Sequence, residues 1–572
     1  MRLILFLASI LGTIAVAIAA PTRVDRFMLQ APAGERSAQI NPEGTTVLPN
    51  GRLLTPRGRQ IRVAPHPYGM TLSADGKVLV TVNGGTAPFS LTVIRNPDSD
   101  SPQVTQIPSS VNTEKEVLPA TFIGAAVDTV RDRLYASGGN DGSIIVFRLS
   151  TGERLARVDL STEEYPDAFT TDIALSPDGR WLYVLDLANY RLVVVDTRTL
   201  KPVASVGVGR NPFALVLTGD GSRAYVANIG TFQYSLIETR PGDDPRGIPF
   251  PPFGYPSREA REGTVVDGRR VPGLGDPNVP EACSVWGIDL TDPTKPQVAV
   301  KIKTGLLVGE SIGSSAPAAL AVSKDTVYVS NSTNDTVEAY DIATHRRKWR
   351  TLLTPVPFLR HLRGVAPFGL AVSPNGERLY VAESGINAVG VLDARTGKVL
   401  GHIPVCWYPS RVCVSPDGKR LYVANAKGFG AGPNGGANFT PGPEGRSIGR
   451  LMKGTVSLMD VPADRELREL TRRVVENNGL VPVKVIRPKG HPVPAVAGVP
   501  SDKIRYVVFI AKENRTFDEV FGDLPGVNGD PTLARFGVNR KVGEHEGVNV
   551  MPNHRALAQR FATSDNFYVD SD

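Results

Sequence analysis

The chain has 572 residues, 41% of them hydrophobic and 21% charged, a balance that excludes a mostly disordered polypeptide. Its formal charge of +7 is mild for that length, and no dense Lys/Arg patch is interleaved with aromatics, which argues against nucleic-acid binding. The 57 glycines and 47 prolines follow no collagen-like period and point to many turns, while 3 cysteines outside any Cys-x-x-Cys or Cys/His spacing exclude a disulfide framework and a structural zinc site.

The first element is an address. Met1-Arg2 precedes an apolar run from Leu3 to Ile18, and Ala17-Ile18-Ala19 supplies the small-x-small pattern of a signal-peptidase site. Residues 1–19 are therefore expected to be a signal peptide, with an uncleaved anchor as the alternative, because ~16 apolar residues are marginal for a bilayer. No later stretch stays apolar for the ~18 residues a span needs, so a periplasmic or secreted protein with no integral membrane span after processing is expected.

Residues 20–462 read as a repeat. Each unit has a small apolar run ending in Ser or Thr, a turn, and an aliphatic-Tyr-Val strand. The clearest copies are Ser176-Pro177-Asp178-Gly179 before Leu182-Tyr183-Val184, Ser373-Pro374-Asn375-Gly376 before Leu379-Tyr380-Val381, and Ser415-Pro416-Asp417-Gly418 before Leu421-Tyr422-Val423. Pro presets φ at the second turn position, Asp suits the third and Gly the last, so each turn joins antiparallel strands. Looser copies begin at Ser73 and Thr218, and two lack the full turn, Asp128 to Tyr135 and Ser323-Lys324-Asp325 before Val327-Tyr328-Val329.

A third strand often closes on Asp, as in Val193 to Asp196, and a fourth leads onward, as in Lys398 to Ile403. Four strands repeated seven times describe a seven-bladed β-propeller. The ring is expected to close by pairing Gln60 to Val63 beside Gly454 to Asp460, which removes a sheet edge. Two Pro/Gly-rich inserts interrupt the pattern, at about 235–282 in blade four and 428–453 in blade seven; an eighth blade is the alternative for the first.

After Asp460 the pattern changes. Asp464 is placed to cap a helix running to about Asn477, with Leu467, Leu470 and Val474 on one face and Gly479 beyond its end. Residues 463–502 comprise this helix and a Pro-rich linker. The run Ile504 to Ala511 has the character of a buried parallel strand and ends in Lys512-Glu513-Asn514-Arg515. A carboxylate beside an amide oxygen at a strand end suits a hard divalent cation, which marks Glu513 and Asn514 as metal-ligand candidates.

The runs Tyr225-Val226-Ala227-Asn228, Tyr328-Val329-Ser330-Asn331 and Tyr422-Val423-Ala424-Asn425 resemble the Tyr-Val-Thr-Asn family of β-propeller repeats, found largely in exported bacterial and archaeal proteins. Residues 503–572 resemble the start of the phosphoesterase family of bacterial phospholipase C and related acid phosphatases, within the alkaline-phosphatase-like superfamily. The residues that carry this are Glu513-Asn514-Arg515-Thr516-Phe517-Asp518, Phe521-Gly522, Pro552-Asn553-His554-Arg555 and Asp565-Asn566-Phe567-Tyr568. The resemblance implies that Glu513 and Asn514 ligate a divalent metal ion in a hydrolase of phosphoesters. It also implies that the nucleophile and further ligands belong downstream of Tyr568, so the chain is expected to be a truncated, incomplete domain. Ser571 lies on a free end without the held geometry of a nucleophile.

The expected fold class is thus mainly β: a seven-bladed propeller with a short C-terminal α/β segment. His554 is read as packing near a helix from Arg555 to Phe561, His545 as a loop residue, and Cys413 as a small buried hydrophobe; Cys406 and Cys283 are open to oxidation after export. Three functions follow. One is an exported propeller linked to a metal-dependent phosphoester hydrolase. The second is a non-enzymatic platform for an envelope protein or glycan. The third is a propeller with its own axial metal or quinone site, for which only His66 stands at an equivalent loop position.

Overall fold

A computed structural model describes residues 30–85, 87–109, 117–235, 237, 240–243, 254–305, 314–360, 362–431, 448–482, 490–493, 500–510, 512 and 515–565. Seven four-stranded antiparallel sheets follow one another along the chain, each ordered from an inner to an outer strand. The inner strands are Pro67–Leu72, Ala125–Asp128, Thr170–Leu175, Pro212–Leu217, Pro317–Val322, Pro367–Val372 and Trp407–Val414. Each touches the next around the ring, and that of blade seven touches that of blade one. The N-terminal strand Arg59–Pro65 completes blade seven, with Gln60 opposite Ser457 and Ile61 opposite Val456. This is the closure anticipated from the sequence, and it leaves no blade incomplete.

The turn chemistry explains the recurring phrase. In blade three the Ser176 hydroxyl donates to Asp178 Oδ1 (2.5 Å) and accepts from the Trp181 N–H (2.9 Å), while Gly179 adopts φ +68°. The same Ser/Thr-to-Asp/Asn bond recurs at Ser73, Thr218, Ser373 and Ser415. Five of these turns therefore carry their own internal polar satisfaction before any blade packs. The tyrosine that follows is the packing anchor: Tyr135, Tyr183, Tyr225, Tyr380 and Tyr422 are fully buried between blades.

Strands Arg223–Asn228 and Ser284–Asp289 pair directly, so the first insert is a second-to-third-strand connection of blade four and no eighth blade. Its described part includes a short helix, Arg258–Glu262, and a hairpin of Gly263–Val266 with Arg269–Pro272. The second insert likewise joins Arg420–Gly428 to Lys453–Asp460. A helix follows at Asp464–Asn477, burying Leu467, Leu470 and Val474 as the periodicity predicts. Its N-cap is Ala463 rather than Asp464. The Glu466 carboxylate accepts the Ala463 N–H (2.8 Å), so the cap is satisfied from inside the first turn.

The C-terminal reading needs correction. Val481–Glu513 belongs to a compact unit other than the one holding the propeller. Within it, Ile504–Ile510 forms no strand, and its apolar side chains face solvent, Tyr506 at 89% and Phe509 at 87% exposure. A strand buried on both faces requires sheet neighbours, and among the described residues this segment has none. Residues 515–565 hold a helix at Phe517–Phe521, a hairpin of Arg540–Val542 with His545–Val548, and a helix at Pro552–Arg560. The incomplete α/β phosphoesterase-like segment expected for residues 503–572 is not shown: among the described residues its two short strands form only an antiparallel hairpin.

Candidate functional site at the hub of the insert-bearing face

Antiparallel connectivity fixes which loops share a face. Inner strands begin at one face, the Ser-Pro-Asp-Gly turns lie at the other, and second-to-third-strand connections return to the first. Both inserts are such connections, so both emerge on the face where the inner strands begin. Arg210 ties the first down, with Nη1 donating to the carbonyls of Thr231 and Asp276 (2.9 Å each). The second reaches blade one, where Arg450 Nε donates to the Ala87 carbonyl and His66 Nε2 lies 2.9 Å from the Gly449 carbonyl.

Aromatic rings converge at the hub of this face. Phe122 of blade two meets Phe213 of blade four edge-on at 5.9 Å, and Phe213 meets Phe368 of blade six at 5.9 Å. Phe169 adds a further edge contact to Phe122 at 5.2 Å. Blades two, four and six are not ring neighbours, so these rings reach each other only over the axis. The rings are half-buried, which leaves part of their apolar surface accessible.

Charge enters at one tier of the inner strands. The relevant residue immediately precedes the one paired opposite the position after the buried tyrosine. It is Gly69, Gly124, Ala214, Ala319 and Gly369 in five blades, Asp172 in blade three and Arg411 in blade seven. Small residues are needed because the next inner strand is close: a Cβ on Gly69 would lie 1.9 Å from the Ile123 carbonyl oxygen. Asp172 fits by accepting hydrogen bonds, from Leu215 N–H of blade four (3.1 Å) and its neighbour Ile173 N–H (3.0 Å). Burial pushes its carboxyl above the usual range, and the Arg411 guanidinium pulls it part of the way back. Arg411 itself lies over the Phe368 ring at 5.6 Å.

On the blade-seven side the patch continues through Tyr68, stacked on His66 (5.9 Å) and edge-on to Tyr408 (6.4 Å). Lys427 Nζ lies 4.9 Å from the Trp407 ring and 5.5 Å from that of Tyr408. Large rigid rings beside an arginine match the composition of protein-binding centres.

Sequence reasoning missed Asp172, Arg411 and the phenylalanine cluster. An alignment of the seven inner strands on the buried tyrosine exposes the first two, because every other blade has Gly or Ala there. Glu513 and Asn514 lie outside the described residues, as do Ser571 and the leader, 1–19. His545 is exposed on a hairpin strand. His554 sits half-buried inside the first turn of its helix, and not before a helix at Arg555. Its neighbour Arg555 is the buried residue, held to Asp523 Oδ1 (2.5 Å). All three cysteines are free: Cys283 and Cys406 are buried, and burial pushes the Cys406 and Cys413 thiols up to about 12. No group of three or more His, Cys, Asp or Glu side chains comes together among the described residues. No helix among them is long and apolar enough to cross a membrane.

Over residues 298–412 the sequence matches the family described as Outer membrane protein assembly factor BamB. That stretch runs from the outer strand of blade four through blades five and six into blade seven. No curated protein matches the chain. Among solved structures it is similar to Kuenenia stuttgartiensis hydrazine synthase, at 18% identity over 65% of this chain and 96% of that one, with a TM-score of 0.42. A putative 6-phosphogluconolactonase from Bacteroides fragilis is 15% identical over 60% and 86% (TM-score 0.40). A functionally unknown protein from Desulfotomaculum acetoxidans is 12% identical over 61% and 87% (TM-score 0.36).

Proposed function

We propose that this seven-bladed propeller is an exported, non-enzymatic recognition platform that holds a protein of the cell envelope on its insert-bearing face. The observation that carries the reading is the hub: rings from blades two, four and six meet over the axis, with Arg411 against Phe368. Buried aromatic anchors with a flanking arginine are where binding energy concentrates in protein interfaces, and flanking loops exclude water from such a centre. The match to the outer-membrane assembly-factor family over residues 298–412 supports an envelope setting.

The test is photo-crosslinking in cells from a benzophenone amino acid at position 68, with the same label at Val130 on the opposite face as control. A discrete envelope-protein adduct from position 68 alone, lost in Arg411→Glu, is the expected result. Identical adducts from both positions, or a protein confined to the cytoplasm, would refute the reading; adducts to polysaccharide alone would replace the protein partner with a glycan.

The hydrolase reading rests on the resemblance at Glu513 and Asn514. Purified protein assayed against chromogenic phosphomonoesters and phosphodiesters with Mn²⁺, Ca²⁺ or Zn²⁺ tests it, since turnover abolished by Glu513→Ala would establish a working metal-dependent site.

A further inference from the structure

The face opposite the inserts contains a slot where one blade's turn is two residues short. Five residues join the inner to the second strand in blades one, three, four, six and seven, but only three do so in blade five, from Val322 to Thr326. Elsewhere the turns interlock around the ring. A Cβ on Gly76 of blade one would lie 2.9 Å from Pro416 of blade seven, and one on Gly221 of blade four 2.8 Å from Pro177 of blade three. Gly418 of blade seven faces Pro374 of blade six at 3.6 Å. In blade two, which has no such proline, the Arg131 side chain takes its place against Gly179 and donates to the Asp178 carbonyl (3.2 Å).

Gly376 of blade six breaks the series. It keeps the left-handed conformation, φ +73°, yet a Cβ there meets nothing within 4 Å, because Ser323-Lys324-Asp325 offers no proline. The space beside Gly376 opens into a cavity of about 1290 Å³ lined by blades four, five and six. That exceeds the roughly 300–1,000 Å³ of small-molecule pockets and suits a segment of polypeptide. Its lining is apolar at Leu217, Val322 and Val372, and it carries Arg223, Lys324, Lys348 and Arg395 against the carboxylates of Asp220 and Asp325, a net positive balance. Among the described residues neither Lys324 nor Arg395 makes an ion pair within 4 Å, although Arg395 acts on the Asp393 carboxylate, whereas Lys348 within the slot is paired with Asp325 (2.8 Å).

We propose that this slot is a docking site for a proline-bearing, acidic β-turn of a partner protein, which replaces the full-length turn that blade five lacks. Proline would pack on Gly376 as Pro177 packs on Gly221, and acidic residues flanking the turn would meet Lys324 and Arg395. The occupant is specified by the ring's own repeated contact together with the net positive charge of the lining.

The probe is a fluorescein-labelled cyclic peptide displaying Glu-Ser-Pro-Asp-Gly-Glu, titrated against the full chain by anisotropy. Saturable binding below about 100 μM is expected, weakened at least tenfold when the peptide proline is replaced by alanine. Replacing Lys324 with Pro-Asn-Gly, which restores the five-residue turn, should abolish binding. Lys324→Glu with Arg395→Glu leaves turn length unchanged and should weaken it at least tenfold, so the test survives a graft that fails to fold. Arg411→Glu, at the other face, should leave peptide affinity unchanged, which separates this proposal from the platform reading. Absence of saturable binding, equal affinity for the alanine peptide, or displacement of both peptides alike by 10 mM sulfate would overturn it. So would a concentration-dependent dimer that the graft abolishes, since the occupant would then be a second copy of this chain.

Discussion

Replacing Ile61 by alanine tests ring closure where the two ends of the repeat meet. Ile61 is 8% exposed and packs with Val63, Leu79, Ile94, Tyr422, Val456 and Leu458. The change removes three carbons, about 2.4 kcal/mol of transfer free energy at ~0.8 kcal/mol per group. A residual cavity raises the loss into the range of about 2–5 kcal/mol found for such truncations, and about 3 kcal/mol is expected here. At ~2.1 cal/mol/K per residue, a ring of roughly 430 residues has an unfolding entropy of about 0.9 kcal/mol/K, so Tm should fall by only about 3 °C. Urea denaturation followed by tryptophan fluorescence is therefore the sharper assay. Trp181, Trp286, Trp349 and Trp407 report from blades three, four, five and seven. If the N-terminal strand closes one cooperative ring, all four shift together to a lower midpoint. Val104→Ala, on the exposed outer strand of blade one at 44% exposure, is the control and should change stability by less than about 0.5 kcal/mol. An Ile61→Ala effect no larger than that of the control would refute closure as the source of the ring's stability.

Three further outcomes follow from the hub, the outer strand of blade six and the turns. The folded carboxyl of Asp172 is raised, so its ionisation costs stability at neutral pH, and Asp172→Asn should raise Tm at pH 7. The gain should vanish as pH falls through the folded value toward the ordinary 3.8; a gain independent of pH would contradict the burial argument. His402 is buried with Nδ1 2.7 Å from Glu383 Oε2; burial depresses its pKa, but the carboxylate more than offsets this and holds it above 6.5. The stability it contributes is complete below 6.5 and lost as pH rises through the folded value, so melting curves between pH 6 and 9 should decline less in His402→Gln than in the parent. Ser176→Ala removes the bonds to Asp178 and from the Trp181 N–H and should cost about 2 kcal/mol by urea denaturation, and a loss below about 0.5 kcal/mol would refute the role given to the turn.

The sequence alone determined the blade count, the turn chemistry and the closing strand. Each depends on local order: Ser-Pro-Asp-Gly satisfies its own polar groups, and a tyrosine three or four residues later recurs in fixed register with the turn. The helix at Asp464–Asn477 was legible for the same reason, since its apolar spacing is complete within one segment. Reading Ile504–Ile510 as a buried strand failed because hydrophobicity records what a segment would bury and not whether a sheet is there to bury it. The tertiary structure alone decided what stands at the hub and what is missing from the opposite face. Phe122, Phe213 and Phe368 lie in blades far apart along the chain and meet because seven wedges share one axis, which likewise brings Arg411 within electrostatic reach of Asp172. The short turn of blade five is visible in the sequence, but its consequence is not. That consequence depends on a contact between the glycine of one blade and the proline of its neighbour, which exists only once the ring has closed.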